Sequence, residues 1–559
     1  MRILLLLTSA VLLTLAQPPF PTGWLAYIAL VPWLFALEGV RGRQAFALGM
    51  LWGLVFNLLG LHWIYNIGPE GVIALPAAMI YLALVWGVFT WLVGQVRGAW
   101  RPLVLPVLWT AFVWLLSLGE MGFPWLTLAL TQTWTPAALQ TAPLAGSWTI
   151  DLWVAAVNAM VYHGLARTIY QGGTTDLRRL ARALAPAAAL AVAVLLYGRL
   201  TLALGGAAAS AELTRPTLSP VDPERPTWLG EDARALQVAA VGASVRPTVK
   251  LADQMLDYNL YLYERLTRAV QLAVGERLDL VVWPETAVPE YFHARYGKYL
   301  HIRNRVQALQ VRIGVPILTG AFSYARPAGE ERSWTYNSVF LVGERGITEG
   351  EGIYSKRILV PFGERVPYQH LLGPIKDWNL GWSDFGLARQ APLLGGPPAA
   401  PGLPRVGPLI CYESIFARLV RPEVLAGARV LAVLSNDAWF GRTIYQAMQL
   451  KAAALRAVEF RRPLIRASNG GHSALIDRWG QIHSVTPLYT KDAAVGRVWP
   501  EAGLTPYARH GDWLPVLCLG LALAGLVTGR EPRRAGSVPT HETRRREGRR
   551  GRPRRSSQE

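Results

Sequence analysis

Cysteine is nearly absent from this chain: Cys411 and Cys518 are the two in 559 residues. Cys518 lies inside an apolar run near the C-terminus, the two are not placed to pair, and no disulfide framework supports the fold. Metal-ligand spacing is missing as well. The nine histidines are scattered, and neither an H-E-x-x-H nor a P-loop pattern occurs, so no metal and no cofactor is expected. No repeat of solenoid length is present. Acidic residues are short: 37 Asp and Glu against 56 Lys and Arg give a formal net charge of +19. That excess does not point to nucleic acid, because eleven arginines fall in the last 30 residues. A basic tail beside an apolar run reads instead as cytoplasmic retention next to anionic membrane lipid.

What is abundant is apolar. Hydrophobic residues make up 52% of the chain and the mean hydropathy is +0.24, which at this length predicts membrane embedding and more than one core. Apolar runs fall at about 3–16, 22–37, 44–64, 71–96, 102–119, 143–166, 180–200 and 513–529. Several approach the ~20 residues that a bilayer-spanning helix requires, and the expected count is eight transmembrane helices. Residues 3–16 follow Arg2 and also fit a cleaved signal peptide. A second apolar run follows almost at once, after a Pro-rich turn, which favours a membrane hairpin.

Charge in the connections supports this layout. Arg41 and Arg43, Arg97 and Arg101, then Arg167, Arg178, Arg179 and Arg182 occupy alternate connections, whereas 65–70 and 120–142 carry no Lys or Arg. The positive-inside rule then places the N-terminus in the cytoplasm and brings the chain out on the extracytoplasmic side after the seventh span. The expected domains are 1–200 (seven transmembrane helices), 201–232 (linker), 233–505 (catalytic domain), 513–529 (eighth helix) and 530–559 (basic, disordered cytoplasmic tail). Polar residues near the outer ends of the spans, Asn57, His62, Asn66, Glu120 and Asp151, with Gly122-Phe-Pro-Trp125, read either as buried structural groups or as a lateral lipid entrance.

From about 235 the pattern changes to short β-rich runs alternating with amphipathic helices. Strands are expected at 236–242, 278–285, 315–322, 338–343, 405–411, 430–436, 464–468 and 473–477, and helices at 250–274, 298–312, 413–426 and 445–461. This is an α/β domain with layered sheets.

Three stretches carry reactive side chains next to a strand end or turn. Val406-Gly-Pro-Leu-Ile-Cys411 delivers a thiol to a sharp turn ahead of a helical pattern, where backbone N–H groups lower a thiol pKa and stabilise an oxyanion. Leu278-Asp-Leu-Val-Val-Trp-Pro-Glu285 ends an apolar strand in a carboxylate, and Lys356 precedes the Pro/Gly turn that ends at Glu364. A carboxylate to take the thiol proton and an ammonium to stabilise thiolate and oxyanion form a possible catalytic set. Taken singly, Glu285 also reads as a helix cap, Lys356 as a solvated charge and Cys411 as core packing.

WPET, K-x-x-L-V-P-F-G-E, ICYE, NDAWFG and RPLIRASNGG occur here in that order. This series resembles the nitrilase (carbon-nitrogen hydrolase) superfamily, and within it the apolipoprotein N-acyltransferases. The resemblance implies an integral membrane protein with an extracytoplasmic α-β-β-α sandwich in the bacterial inner membrane. It implies Glu285 as general base, Lys356 as transition-state stabiliser and Cys411 as nucleophile, with Glu364, Glu413, Tyr412 and Asn337 as supports. The implied reaction moves an acyl chain from a phospholipid, through a Cys411 thioester, to the α-amino group of a lipoprotein's diacylglyceryl-cysteine. The alternative is a membrane-anchored amidase with water as acceptor. Two departures stand out: Val241-Gly-Ala-Ser lacks an expected Gln and Asn, and Tyr445-Gln-Ala-Met-Gln stands where a Gln-His pair is usual.

Overall fold

The computed structural model describes residues 1–68, 71–96, 100–170, 177–206, 234–250, 253–274, 278–294, 297–326, 332–347, 353–368, 384–390, 392–396, 400 and 402–528. Arg97, most of the expected linker and the basic tail lie outside them.

The N-terminal part is helical. Among the described residues three helical segments are long and apolar enough to cross a membrane, Gly42–Ile67, Gly71–Gln95 and Leu177–Leu204. A fourth crossing is available if Pro136–Ala145 and Trp148–Tyr170, bent by 119°, act as one span. The run expected at 143–166 is therefore broken near its start, where Gly146 takes a φ of 77° and turns the chain. The run at 22–37 is also not one helix: it divides into a 3₁₀ turn, Gly23–Tyr27, and a short α-helix, Val31–Ala36. Arg2–Leu15, Arg101–Leu116 and Trp513–Thr528 are apolar helices of at most 16 residues, about 24 Å at 1.5 Å per residue and short of a ~30 Å hydrocarbon core. Close packing explains the glycines here. A Cβ on Gly49 would lie 2.4 Å from Thr90 Cβ, so helices 42–61 and 71–95 meet backbone to backbone.

The C-terminal part contains two sheets. Strands β1 (Leu236–Gly242), β2 (Leu280–Val282), β3 (Val288–Tyr291), β4 (Ile317–Ala325), β5 (Trp334–Gly343), β6 (Gly346–Ile347), β7 (Ile353–Ser355) and β13 (Asp492–Val498) form the first. Its order is β13-β1-β2-β4-β5-β6, with β3 on β4 and β7 on β5. The second has the order β12-β11-β10-β9-β8, from β8 (Val406–Ile410), β9 (Val430–Asn436), β10 (Leu464–Asn469), β11 (Ala474–Ile476) and β12 (Ile482–His483).

Alternation along each strand produces the layers. Val238 and Ala240 of β1 face Val430, Ala432 and Leu434 of β9 between the sheets. Ala239 and Val241 turn the other way, onto helices Leu256–Val274 and Gly297–Ile313. Leu431 and Val433 likewise face helices Ala417–Leu425 and Tyr445–Phe460. The result is four layers, α-β-β-α. Parallel strands buried on both faces are continuous apolar runs, which is why β1, β2, β8, β9 and β10 were legible. β13 was not expected, because as an edge strand it alternates only weakly in Asp492-Ala-Ala-Val-Gly-Arg-Val. Its seven residues pair antiparallel with all of β1.

The two parts share one core. The apolar cluster that contains Trp52, Phe89 and Trp109 of the helical part runs on through Tyr412, Phe416, Tyr445 and Phe460. Helix Tyr445–Phe460 is thus both the outer layer of the sandwich and the floor on which the N-terminal helices rest.

Candidate active site

Each reactive side chain sits where a strand of the inner layers stops. Glu285 follows β2, Lys356 follows β7 and Cys411 follows β8. All three are buried, at 6%, 1% and 7% exposure, and they converge at one end of the sandwich, beside the helical part. Cys411 has a φ of 49° and Thr286, next to Glu285, a φ of 46°. Left-handed backbone at non-glycine residues costs on the order of 1–3 kcal/mol and clusters where geometry is imposed for function. The α-helix expected directly after Cys411 begins later than the sequence suggested. A 3₁₀ turn, Cys411–Ile415, and extended Phe416 intervene before helix Ala417–Leu425.

The Glu285 carboxylate is held on both oxygens. Oε1 accepts from Asn337 Nδ2 at 2.7 Å and lies 3.4 Å from Lys356 Nζ; Oε2 accepts from the backbone N–H of Asn436 at 2.8 Å. Lys250, which had no signal in the sequence, is 1% exposed and donates to the Glu285 carbonyl at 2.6 Å. Burial pushes its ammonium down to about 7, against the opposing pull of Glu285. Gly320 is required behind this point: a Cβ there would lie 2.5 Å from Thr286 N and 2.7 Å from Glu285 Cα.

Lys356 donates to Glu364 Oε1 at 2.7 Å, and Glu364 Oε2 accepts the N–H of Val360. Burial alone would push this ammonium down. Glu364 and Glu285, with Cys411, outweigh it and hold the group charged, well above the ordinary lysine value. Cys411 moves the opposite way to the sequence expectation. Burial, then the Glu285 charge, pushes its thiol up to about 12, and Lys356 only partly offsets them. The turn after β8 therefore does not by itself favour a thiolate at Cys411.

The supporting residues divide by role. Asn337 touches Glu285 directly, and its Oδ1 is buried without a partner among the described residues. Glu364 holds Lys356. Glu413 does not reach the ammonium: its carboxylate accepts from the N–H groups of Arg357, Ile358 and Ile410 and from Tyr354 OH. It ties the segment carrying Lys356 to the turn carrying Cys411. Tyr412 points away and donates to the Gly122 carbonyl at 2.8 Å, joining the turn that carries Cys411 to the helical part. The quoted motifs contribute further fixed groups. Asp437 pairs with Arg466 at 2.8 Å, both fully buried, and Asn469 donates to Asn436 Oδ1 at 2.8 Å.

The polar residues of the helical part also divide. Asn57 donates to the Gly53 carbonyl within its own helix, and Asp151 is fully buried and accepts from Ala129 N–H. Both are buried within the helical part. Asn66 and Glu120 instead bridge to the sandwich, through the Phe440 carbonyl and the Tyr368 N–H.

Comparisons with known proteins agree on this architecture. Residues 9–160 match the family model for the apolipoprotein N-acyltransferase N-terminal domain, and residues 237–501 match that for carbon-nitrogen hydrolases. A relative from Azotobacter vinelandii is 34% identical over 93% of this chain and 94% of its own length. Another from Geobacter metallireducens is 31% identical over 92% and 93%. Both are named apolipoprotein N-acyltransferase. This chain belongs to that family. Membership accounts for the pairing of a nitrilase-like sandwich with apolar helices, and it covers both parts of the chain rather than the sandwich alone.

Lys250, Asn436, Asp437 and Tyr445 are the site residues that sequence reasoning missed. Asn436 and Asp437 lay inside the NDAWFG motif and Tyr445 at a noted departure, whereas nothing in the pattern marked Lys250.

Proposed function

We propose that this protein acylates the N-terminal α-amino group of diacylglyceryl-cysteine on apolipoproteins, with a phospholipid as donor. The observation that carries the reading is the convergence of buried Glu285, Lys356 and Cys411 at the end of the sandwich that rests on the apolar helices. In the first half-reaction Glu285 takes the Cys411 proton as the sulfur attacks the ester carbonyl. Lys356, held charged by Glu364, and backbone N–H groups stabilise the tetrahedral oxyanion, and collapse releases lysophospholipid, whose leaving oxygen takes the proton back from Glu285. In the second, Glu285 accepts the amine proton as the nitrogen attacks the thioester; the C–S bond breaks, the proton returns to the Cys411 sulfur, and an amide forms. A covalent intermediate separates two bulky lipid substrates in time, so ping-pong kinetics follow.

The membrane part belongs to the substrate site in this reading. An acyl chain that stays in hydrocarbon keeps roughly 0.8 kcal/mol per CH₂ that it would lose in water. Eight crossings, with the sandwich on the extracytoplasmic side of the bacterial inner membrane, fit the arginine pattern of the connections. A cysteine placed at exposed Thr490 should react with an impermeant maleimide in intact spheroplasts; protection until the cells are lysed would reverse the orientation.

The test of function is intact-mass analysis after incubation with phospholipid, beside Cys411→Ala. An acyl adduct, absent from the variant and discharged by a diacylglyceryl-cysteine peptide to an N-acyl product, is the expected result. Discharge by water alone would make the protein a hydrolase.

A further inference from the structure

Beyond the acid–base set, the Cys411 sulfur has a neighbour that the reaction scheme leaves unused. Tyr445 OH lies 3.6 Å from Cys411 Sγ, and both groups are buried. The phenol is fixed from behind, because Gln449 Nε2 donates to its oxygen at 2.8 Å. Gln449 is itself anchored through Oε1 to Ser414 Oγ at 2.8 Å, in the turn that begins at Cys411. With one lone pair taken by Gln449, the phenol's own proton is free to point at the sulfur. The ring is gripped on several sides: Trp63 at 4.7 Å, Phe440 at 3.8 Å and Trp125 at 5.8 Å between centroids. Trp63 and Trp125 come from the helical part, so the phenol is placed by both halves of the molecule.

The other groups around the sulfur are accounted for. Glu285 and Asp437 are the acidic neighbours, and Lys356 is the basic one. Ser435 also hydrogen-bonds the sulfur and lowers the thiol, but its hydroxyl donates to Asp437 Oδ1 at 2.5 Å, so its one proton is shared between them. Burial keeps Tyr445 protonated, so it remains an O–H donor.

We propose that Tyr445 is a further catalytic residue of this site, whose phenol O–H donates a hydrogen bond to the Cys411 sulfur as it becomes a thiolate and again as the thioester expels it. A neutral thiol can donate to the phenol or accept from it; a thiolate can only accept. The bond therefore strengthens as charge develops on sulfur, when the Glu285 carboxylate has just taken the proton. The proposal rests on Cys411 as the reacting group.

The test uses the full-length protein in detergent and reads two rates. One is alkylation of Cys411 by iodoacetamide, followed by peptide mass at fixed pH. The other is acyl-enzyme formation from phospholipid. Tyr445→Phe keeps the ring and its packing and removes only the donor. A charge-assisted hydrogen bond to the thiolate corresponds to about a tenfold change in its population, so both rates should fall about tenfold. Incorporation of 3-fluorotyrosine at 445, a more acidic donor, should raise the alkylation rate, which a purely structural role would not do. An unchanged or faster alkylation rate in Tyr445→Phe overturns the proposal. Persistence of the acyl adduct in Cys411→Ala would instead defeat the nucleophile assignment, and the alkylation rates would still decide whether Tyr445 holds the sulfur.

Discussion

The charges around Cys411 make a prediction whose two arms have opposite signs. Burial holds the thiol at about 12, so at pH 7 roughly one molecule in 10⁵ is a thiolate, against a few per cent for a free cysteine. Resting protein should therefore react with iodoacetamide about 1000-fold more slowly than a free thiol. Glu285 raises the thiol pKa and Lys356 lowers it. A charge within about 4–6 Å changes the thiolate population by about 10- to 1000-fold. Glu285→Gln should then alkylate at least about tenfold faster between about pH 7 and 9, and Lys356→Met at least about tenfold slower, although both lose acyl transfer. The sign follows from the direction of each shift: removing the anion lets the thiol ionise at lower pH, and removing the cation delays it. The assay is the pH dependence of Cys411 alkylation followed by mass, with acyl-enzyme formation measured on the same samples. Slower alkylation in Glu285→Gln, or the same direction in both variants, would refute the electrostatic account of the site.

Three other substitutions test the scaffold. Gly320→Ala pushes a Cβ into the backbone at Glu285 and Thr286, which has no room to yield, so a loss of about 1–3 kcal/mol and of acyl-enzyme formation is expected from thermal unfolding and intact mass. Glu413→Gln removes the charge that gathers the N–H groups of Arg357, Ile358 and Ile410; unfolding should occur about 2 kcal/mol more easily, and activity should fall because Lys356 and Cys411 lose their common anchor. Tyr412→Phe leaves the Gly122 carbonyl without its phenol donor, at a cost of about 1 kcal/mol in thermal unfolding, while the rate of Cys411 alkylation stays unchanged.

Much of this site could be read from the chain because its reactive residues are local punctuation. Glu285, Lys356 and Cys411 each end a run of strand type, and apolar strands buried on both faces announce themselves without help from their partners. β13 and the short strands β3, β6, β7 and β12 were not legible, because an edge strand, or a short one outside a longer apolar run, takes its identity from the strand it pairs with. The break at Gly146 was hidden for the opposite reason: the composition on both sides is apolar, and the turn is fixed by contacts such as that of Ser147 N–H with Glu459 Oε1, 312 residues away.

What the sequence determined by itself was therefore the membrane character, the α/β class and which side chains were available for chemistry, all of which follow from composition and short-range pattern. What only the tertiary structure decided was the electrical state of those side chains and who holds them. The thiol is raised rather than lowered, because burial and the charge of Glu285 outweigh Lys356. Glu413 serves backbone N–H groups instead of the ammonium, and Lys250, from a segment with no motif, and Tyr445, from a position that departs from the family pattern, both reach the site. Desolvation and Coulomb interaction depend on distances through space, and those exist only once strands far apart in the chain have stopped at the same end of two sheets.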